Sequence, residues 1–301
     1  MRLLVFGGSG FVSKRLAEMA LADGNEVWCV TRGTRELPAH IHPIITDRND
    51  APALDEALNT AGIHWDACLD CICFNADQAR TDLLVLKKRA DRLVVISTDS
   101  VYHPDHKSVP QNEDADAYMD DGGYGALKRQ MELVFLEDAG ETIPFTLFRP
   151  GHIFGPGSLL GCYPMHSRQK ELPDLIRNDC ELTLVSGDEF LIQPIYVDDL
   201  CRVMLDSLSL NTTLNRVFCI GGPDVITNAE YFRILGELLG HPVKIRDLPT
   251  EGFLEANPQF SGHLCNRAYD LTALKEAGVP LPKTSLHEGL QQQIRRLDGL
   301  D

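Results

Sequence analysis

The chain has 301 residues, of which 44% are hydrophobic and 24% charged, and its formal net charge is −16. This composition is typical of one large or two modest globular domains and excludes a disordered chain. The acidic balance argues against nucleic acid and anionic membranes as partners, because both are bound largely through Lys and Arg. No apolar run approaches the ~20 residues of a membrane helix, and no signal peptide pattern is present, so we predict a cytoplasmic protein.

Short apolar runs alternate with longer amphipathic stretches through the first half of the chain. The predicted strands cover residues 2–6, 26–30, 41–45, 65–72, 92–97 and 145–148, and the predicted helices cover 11–22, 52–60, 77–88 and 124–138. Strands and helices that alternate in this way favour a parallel sheet covered on both faces. We therefore predict an α/β fold with a doubly wound, Rossmann-type parallel sheet.

Beyond residue 150, Pro and Gly separate shorter predicted elements. A predicted strand at 217–220 followed by a helix at 228–239 then resembles the strand–helix pattern of the first half. We predict an NAD(P)-binding domain over residues 1–150, with return segments near 196–225. Residues 151–301 would form a smaller, partly interleaved C-terminal domain that binds substrate in the cleft between the two.

A glycine-rich turn, Gly7-Gly8-Ser9-Gly10-Phe11-Val12-Ser13, follows the first strand and opens the first helix. Gly7 permits the tight turn, and Gly10 lets the backbone approach a pyrophosphate at the helix N-terminus, where free N–H groups favour anions. Ser13 replaces the third glycine of the usual pattern and is small enough for helix–strand packing. The turn predicts a dinucleotide site that includes Ser9, Phe11 and Val12.

The end of the second predicted strand, Val30-Thr31-Arg32-Gly33-Thr34-Arg35, lacks the carboxylate that would bind the ribose 2′-hydroxyl of NAD. Arg32 and Arg35 can instead meet a 2′-phosphate through charge-assisted hydrogen bonds. We therefore predict NADP rather than NAD. Asp47 either caps a turn or accepts a hydrogen bond from the adenine amino group.

Tyr124 and Lys128 are four residues apart, on one face of a predicted helix. A lysine near the phenol would lower the pKa of the tyrosine and prepare it to exchange a proton with a substrate hydroxyl. Thr98 follows the fifth predicted strand, at the sheet edge where ligands bind in open α/β folds. Thr98 could hydrogen-bond the reacting oxygen while Tyr124 exchanges its proton.

The nine cysteines include a single cluster, Cys68, Cys71 and Cys73. Strand alternation would place Cys71 and Cys73 on one face and Cys68 on the other. No second Cys or His pair lies close enough in sequence to complete a zinc site, so we predict buried structural thiols and no metal.

These motifs are followed along the chain by several others, and together they form an ordered set. They are Gly7-x-x-Gly10, the segment 97–102, Tyr124-x-x-x-Lys128, the segment 148–157, Ile195-Tyr196-Val197-Asp198-Asp199-Leu200, and the segments 269–274 and 281–290. In this combination, spanning nearly the whole chain, the sequence resembles the extended short-chain dehydrogenase/reductases, the NAD(P)-dependent sugar epimerase/dehydratase group. The run Cys71-Ile72-Cys73-Phe74, where the group usually has His-Ala-Ala, is more similar to an atypical branch that includes RNA-binding relatives.

The resemblance implies Thr98 as a hydrogen-bonding partner of substrate, Tyr124 as acid/base, and Lys128 as its tuner and as a ribose ligand. It also implies that residues 150–153, among them Pro150, His152 and Ile153, line the nicotinamide. We also predict Cys71 and Ile72 to be cofactor-binding residues. Substrate would be held in the region of His152, Arg168, Arg177, His263 and Arg267. Asp99 could act as an acid, but Ser100 stands where sugar 4,6-dehydratases have a glutamate, which argues against that reaction.

We therefore predict an NAD(P)-dependent oxidoreductase or epimerase that acts on a secondary alcohol or ketone of a sugar-like, possibly nucleotide-linked, substrate. The same residues serve both reactions. The alternative is a catalytically silent relative that senses NADP or binds RNA; the retained Thr98, Tyr124 and Lys128 and the acidic charge argue against it. In this family the helix that begins at Tyr124 often pairs with a partner's helix, so a homodimer is expected.

Overall fold

The computed structural model describes residues 1–300. Its strands follow one another along the chain as β1 (Arg2–Phe6), β2 (Glu26–Thr31), β3 (His42–Ile45), β4 (Ala67–Asp70), β5 (Leu93–Ile96), β6 (Phe145–Pro150), β7 (Ile153–Phe154), β8 (Glu181–Val185), β9 (Leu191–Ile192), β10 (Ile195–Tyr196), β11 (Arg216–Ile220), β12 (Ile226–Thr227) and β13 (Lys244–Leu248). The helices are α1 (Phe11–Ala22), α2 (Ala51–Ala61), α3 (Ala76–Leu86), α4 (Tyr124–Asp138), α5 (Leu172–Arg177), α6 (Val197–Ser207), α7 (Asn228–Leu239), α8 (Thr250–Ala256), α9 (Thr272–Glu276) and α10 (Leu286–Leu297).

Seven strands form one sheet in the order β11-β6-β5-β4-β1-β2-β3, and every pair in it is parallel. The order reverses between β1 and β4, and at such a switch point the two neighbouring crossovers leave a crevice outside the carboxyl ends of the strands. The prediction of a doubly wound, Rossmann-type sheet is confirmed. The crevice is where the glycine turn lies.

Apolar side chains cover the sheet on both faces. One buried cluster joins alternate residues of β1, β2 and β5 to α1 and α6, and a second joins the opposite residues to α2, α3 and α4. A third cluster packs α5, α7 and α10 around the shorter strands of the C-terminal part. Three small sheets lie in that part: β7 with β10 and β8 with β13, which are parallel, and β9 with β12, which is antiparallel.

The expected alternation of the clustered thiols is wrong. The strand ends at Asp70 rather than at residue 72, because the Asp70 carboxylate accepts a hydrogen bond from the Ile72 N–H at 2.6 Å and turns the chain. Cys73 therefore packs in the same cluster as Cys68, and Cys71 contacts the cluster on the other face. All nine thiols are free, and seven of them are buried.

Candidate active site

The glycine turn between β1 and α1 forms the floor of the crevice. Gly7 has φ +114°, and a Cβ there would lie 2.8 Å from both the Cβ and the Oγ of Ser13. The Gly10 N–H donates a hydrogen bond to Ser13 Oγ at 3.2 Å. The serine thus fits in the third position of the motif, and the backbone at the start of α1 is left free to face an anion. These features fit a bound pyrophosphate.

Two adjoining cavities are lined in part by residues of this turn. The first, the Arg32 cavity, has about 460 Å³ and lies at the ends of β2 and β3. Among the predicted cofactor residues it is lined by Gly7, Ser9, Gly10, Arg32, Arg35, Asp47 and Ile72. Within residues 1–300 neither Arg32 nor Arg35 takes part in an ion pair, so both guanidinium groups remain available to an anionic ligand.

The second, the Tyr124 cavity, has about 570 Å³ and lies at the ends of β4, β5 and β6. It contains the three predicted catalytic residues, the remaining predicted cofactor residues, Asp99 and four of the five residues expected near substrate. These lining residues are Gly10, Phe11, Val12, Cys71, Ile72, Thr98, Asp99, Tyr124, Lys128, Pro150, His152, Ile153, Arg168, His263 and Arg267. Gly10, Ser13, Ile72 and Phe74 line both cavities, so the two are continuous. Each falls in the 300–1,000 Å³ range typical of ligand sites, roughly.

Tyr124 is the first residue of α4 and Thr98 follows β5, which brings both to the carboxyl edge of the sheet. Tyr124 is 54% exposed as a whole residue, with its ring on the cavity wall. Burial around the hydroxyl raises the pKa of Tyr124 above its ordinary value, and hydrogen bonding with Thr98 offsets this only in part. The phenol therefore carries its proton at neutral pH in this state.

Lys128 lies one turn further along α4 and is almost fully buried. Its Nζ donates hydrogen bonds to the carbonyl oxygens of Cys73 and Ile96, each at 2.6 Å, and lies 5.3 Å from the centre of the Phe74 ring. Burial lowers the pKa of Lys128. The expected tuning of Tyr124 by this lysine is not seen, because its ammonium group is held by the two carbonyl groups instead.

Asp99 is the centre of a buried charge cluster beside Thr98. One carboxylate oxygen lies 3.2 Å from Arg267 Nη1 and the other 3.2 Å from Lys107 Nζ. Burial alone would raise the pKa of Asp99, but these two cations hold it below its ordinary value. The carboxylate is charged and both its oxygens are occupied, so it is poorly suited to donate a proton. Its contact with Arg267 joins the sheet edge to the C-terminal part of the chain.

Two histidines on the substrate side of the cavity are neutral at physiological pH. Burial lowers the pKa of His152 to about 3 and that of His263 to about 4, with nearby arginines adding to both effects. The His263 ring stacks on Tyr163 with centroids 4.2 Å apart. A substrate therefore meets neutral hydrogen-bonding rings and the guanidinium groups of Arg267 and Arg168 here.

The structure does not bring Arg177 to either cavity, which corrects the expectation that it contacts substrate. It lies at the end of α5, and its Nη2 contacts both carboxylate oxygens of Asp298 at 3.0 and 3.1 Å. Conversely, Phe74 and Tyr163 line the Tyr124 cavity although the sequence analysis did not select them. Phe74 could have been found from its place just beyond β4, at the same sheet edge as Thr98.

Asp70, Cys73 and Asp82 place three potential metal ligands within 4.8 Å of one another. Arg48 already occupies this group: its Nη1 lies 2.6 Å from Asp70 and its Nη2 2.8 Å from Asp82. A buried guanidinium paired with two carboxylates accounts for the cluster as part of the fold.

Comparison of the sequence with known families identifies the family of this chain. The model of the NAD dependent epimerase/dehydratase family matches residues 3–221. The chain belongs to this family. It is an enzyme of the NAD(P)-dependent epimerase/dehydratase type, and the resemblance noted in the sequence is confirmed.

Known proteins similar to this chain are distant in sequence. A UDP-N-acetyl-alpha-D-glucosaminuronate decarboxylase of Bacillus cytotoxicus is 25% identical over 98% of this chain and 97% of its own length. The structure of a Thermotoga maritima UDP-glucose 4-epimerase with UDP-glucose superposes with a TM-score of 0.77 at 20% identity, covering 99% of both chains. That of a Bacillus cereus UDP-glucuronic acid 4-epimerase with UDP-glucuronic acid and NAD gives 0.77 at 19% identity over the full length of both. At these identities the structures show a common fold.

No helix within residues 1–300 combines the length and apolar character that crossing a bilayer requires.

Proposed function

We propose that this enzyme oxidises or reduces a secondary alcohol or ketone of a sugar-like, nucleotide-linked substrate, with Tyr124 as the acid/base. One observation carries the proposal: Thr98, Tyr124 and Lys128 line the same cavity as the glycine turn. Bound NAD(P) supplies the group that accepts or donates hydride. Every other part of the chemistry falls to side chains at this sheet edge.

Tyr124 acts as the proton donor in the direction of ketone reduction, because its raised pKa keeps the phenol protonated at neutral pH. In alcohol oxidation the phenol first releases its proton to solvent, and the phenolate oxygen then takes the proton of the substrate hydroxyl as hydride leaves the carbon. Thr98 supports the phenolate by hydrogen bonding. Lys128 holds the carbonyl groups after β4 and β5 and so fixes the cavity wall, in addition to any contact with a ribose hydroxyl.

The state of Asp99 argues against elimination of water from the substrate. Such a step needs a carboxylic acid that donates a proton, whereas Asp99 is held ionised between Arg267 and Lys107. We assign Asp99 instead to orienting Arg267 toward the substrate. This leaves epimerisation, or a net oxidation or reduction, as the reactions that the site supports best.

Within NAD(P), we propose NADP as the preferred cofactor. Arg32 and Arg35 lie together on the wall of the Arg32 cavity, where a ribose 2′-phosphate would lie if the pyrophosphate rests on the glycine turn. Two of the similar structures hold NAD, so the preference for NADP rests on these two side chains.

We propose a nucleotide-linked sugar as substrate because the similar proteins include a UDP-sugar decarboxylase and a UDP-glucose 4-epimerase. The guanidinium groups of Arg168 and Arg267, which line the Tyr124 cavity, suit the diphosphate of such a substrate. Tyr163, Arg168, His263 and Arg267 also line this cavity, which supports our proposal that the part of the chain beyond residue 150 mainly binds substrate. A cytoplasmic location fits such metabolites.

The proposed reaction is tested by mixing the protein with NADP or NADPH and a panel of UDP- and dTDP-sugars. Net oxidation or reduction changes absorbance at the reduced nicotinamide band in proportion to product. Epimerisation converts the sugar without a net absorbance change. Binding of NADPH without conversion of any sugar, together with RNA binding, would favour the silent alternative.

We further propose a homodimer formed through α3 and α4, which pack side by side. Leu84 on α3 is 70% exposed, and Leu127 and Leu133 on α4 are 40% and 38% exposed. Sedimentation should give twice the mass of one chain, and Leu84→Glu with Leu133→Glu should return it to the monomer. A wild-type monomer would contradict this proposal.

A further inference from the structure

A buried ion pair lies directly behind the candidate catalytic residues. Arg149 and Glu132 are at most 1% exposed. Arg149 Nε donates a hydrogen bond to Glu132 Oε1 at 2.8 Å, and its Nη2 donates to Oε2 at 2.7 Å. Such a two-point contact fixes the planes of both groups relative to each other.

Three chain segments meet at this pair, and each carries part of the candidate active site. Ser97 Oγ donates a hydrogen bond to Glu132 Oε1 at 2.6 Å, and Ser97 directly precedes Thr98. Glu132 lies on α4 one turn beyond Lys128 and two turns beyond Tyr124. Arg149 directly precedes Pro150, where the chain enters the cavity wall.

The remaining polar atoms of the pair are also satisfied. Arg149 Nη1 donates to the Tyr102 hydroxyl at 2.8 Å and to the Glu113 carbonyl at 2.7 Å, while Arg129 Nη1 donates to Glu132 Oε2 at 3.0 Å. Burial would raise the pKa of Glu132, but Arg149 keeps it below its ordinary value. The carboxylate thus stays charged and saturated with hydrogen bonds, as a rigid buried network requires.

We propose that Glu132 and Arg149, with Ser97, form a positioning unit that sets the distance between Thr98, Tyr124 and the 150–153 segment. The inference rests on the proposed function, since it concerns the geometry of those residues. Neither Glu132 nor Arg149 lines the Tyr124 cavity, so they act through their neighbours. Ser97 does lie on the cavity wall, but its Oγ donates to Glu132. Misplacement of a catalytic group by about 1 Å can lower the rate about 100-fold. Loss of a single hydrogen bond within the positioning unit should therefore lower the rate measurably.

The test compares Ser97→Ala and Glu132→Gln with a matched control, Thr146→Val. Thr146 is also buried in the sheet and donates a hydrogen bond to the Thr213 carbonyl at 2.8 Å, but it holds no catalytic segment. For each variant, the rate of hydride transfer in a single turnover is divided by the number of cofactor-binding sites. This excludes unfolded protein from the comparison.

We expect Ser97→Ala and Glu132→Gln to lower the rate per site by about tenfold or more, with the cofactor Kd within about twofold of wild type. For Ser97→Ala the pH at which the rate changes should stay the same, because this substitution removes a hydrogen bond and leaves every charge in place. Thr146→Val should lose stability but keep its rate per site. Ser97→Ala with the full wild-type rate would overturn the inference, even if Glu132→Gln does not fold.

Hydrogen exchange separates this inference from the proposed function. If the wild type transfers no hydride to or from any sugar, the proposed function fails. The effect of the positioning unit on the neighbouring segments can still be measured by amide exchange. Amides at residues 98–101 and 124–128 should exchange faster in Ser97→Ala than in the wild type and in Thr146→Val. Equal exchange in all three proteins would contradict the positioning unit.

Discussion

Gly125 and the carbonyl oxygen of Ser100 lie in close contact at the point where α4 meets the turn after β5. A Cβ at residue 125 would overlap that oxygen and would also crowd Met119 at 3.2 Å. The glycine between Tyr124 and the rest of α4 is therefore what lets the tyrosine approach the segment that carries Thr98. The Tyr-x-x-x-Lys pattern alone does not show this requirement.

Gly125→Ala should push α4 away from the Ser100 turn, since a backbone atom cannot move aside as a flexible side chain can. We expect a loss of about 1–3 kcal/mol in the free energy of unfolding, typical of overpacking, and a lower kcat in the folded fraction. Gly262→Ala is the matched control, because no atom lies within 4 Å of its added Cβ. Denaturant unfolding measures the stability of both variants. Equal stability would contradict the close contact between residue 125 and the Ser100 carbonyl oxygen.

Arg32→Ala should weaken NADPH binding far more than NADH binding. A hydrogen bond to a charged group contributes about 1.5–3 kcal/mol, which corresponds to a rise of about tenfold or more in the Kd of NADPH. The Kd of NADH should stay within about twofold. Fluorescence titration of both cofactors, with Arg35→Ala in parallel, measures the difference; equal losses for the two cofactors would remove the basis for preferring NADP.

Asp99→Asn should destabilise the protein by about 3–5 kcal/mol at neutral pH, because it leaves Arg267 and Lys107 without their buried partner. The lowered pKa of Asp99 sets the pH dependence. Its contribution is fully present above the unfolded value of about 3.9 and is lost as pH falls through the lower folded value. The difference in the free energy of unfolding between Asp99→Asn and the wild type should therefore become smaller below about pH 4.

Denaturant unfolding at several pH values measures this gap. Asp188→Asn is the control, because Asp188 also pairs with an arginine, Arg233, but is 57% exposed. Its effect should stay below about 1 kcal/mol at any pH. A gap for Asp99→Asn that is constant or grows on acidification would show that Asp99 is not held ionised in the folded protein.

Arg267→Gln and Arg177→Gln should differ in their effect on the KM for substrate, because only Arg267 lies at the candidate active site. Arg267 lines the Tyr124 cavity, so its loss should raise the KM for substrate by about tenfold or more. Arg177→Gln removes only an exposed pair with Asp298 and should leave KM unchanged. Steady-state kinetics at saturating cofactor measures both, and a raised KM for Arg177→Gln would restore it as a substrate residue.

Local patterns in the sequence were enough to place the elements that carry the site. The predicted helices 11–22, 124–138 and 228–239 have the same limits in the structure, because each is amphipathic and bounded by turn or capping residues. The glycine turn and Thr98 then fall at one sheet edge, since parallel strands share their carboxyl ends.

What could not be predicted depends on contacts between distant residues. β4 ends early because Asp70 turns the chain and pairs with Arg48, which is 22 residues away. Arg177 is held at the surface by Asp298, which is 121 residues away. Lys128 was placed on the correct helix face, but the carbonyl groups of Cys73 and Ile96 determine where its ammonium group lies.

The most direct measurement for the central claim is the single-turnover rate of hydride transfer in Tyr124→Phe, with Tyr163→Phe as the control. Both tyrosines line the same cavity, but only Tyr124 lies beside Thr98 at the start of α4. Loss of the acid/base should slow Tyr124→Phe by about 10²–10⁴-fold with an unchanged cofactor Kd, and Tyr163→Phe should stay within about tenfold of wild type. A Tyr124→Phe variant that transfers hydride at the wild-type rate would contradict the assignment of Tyr124 as the proton donor.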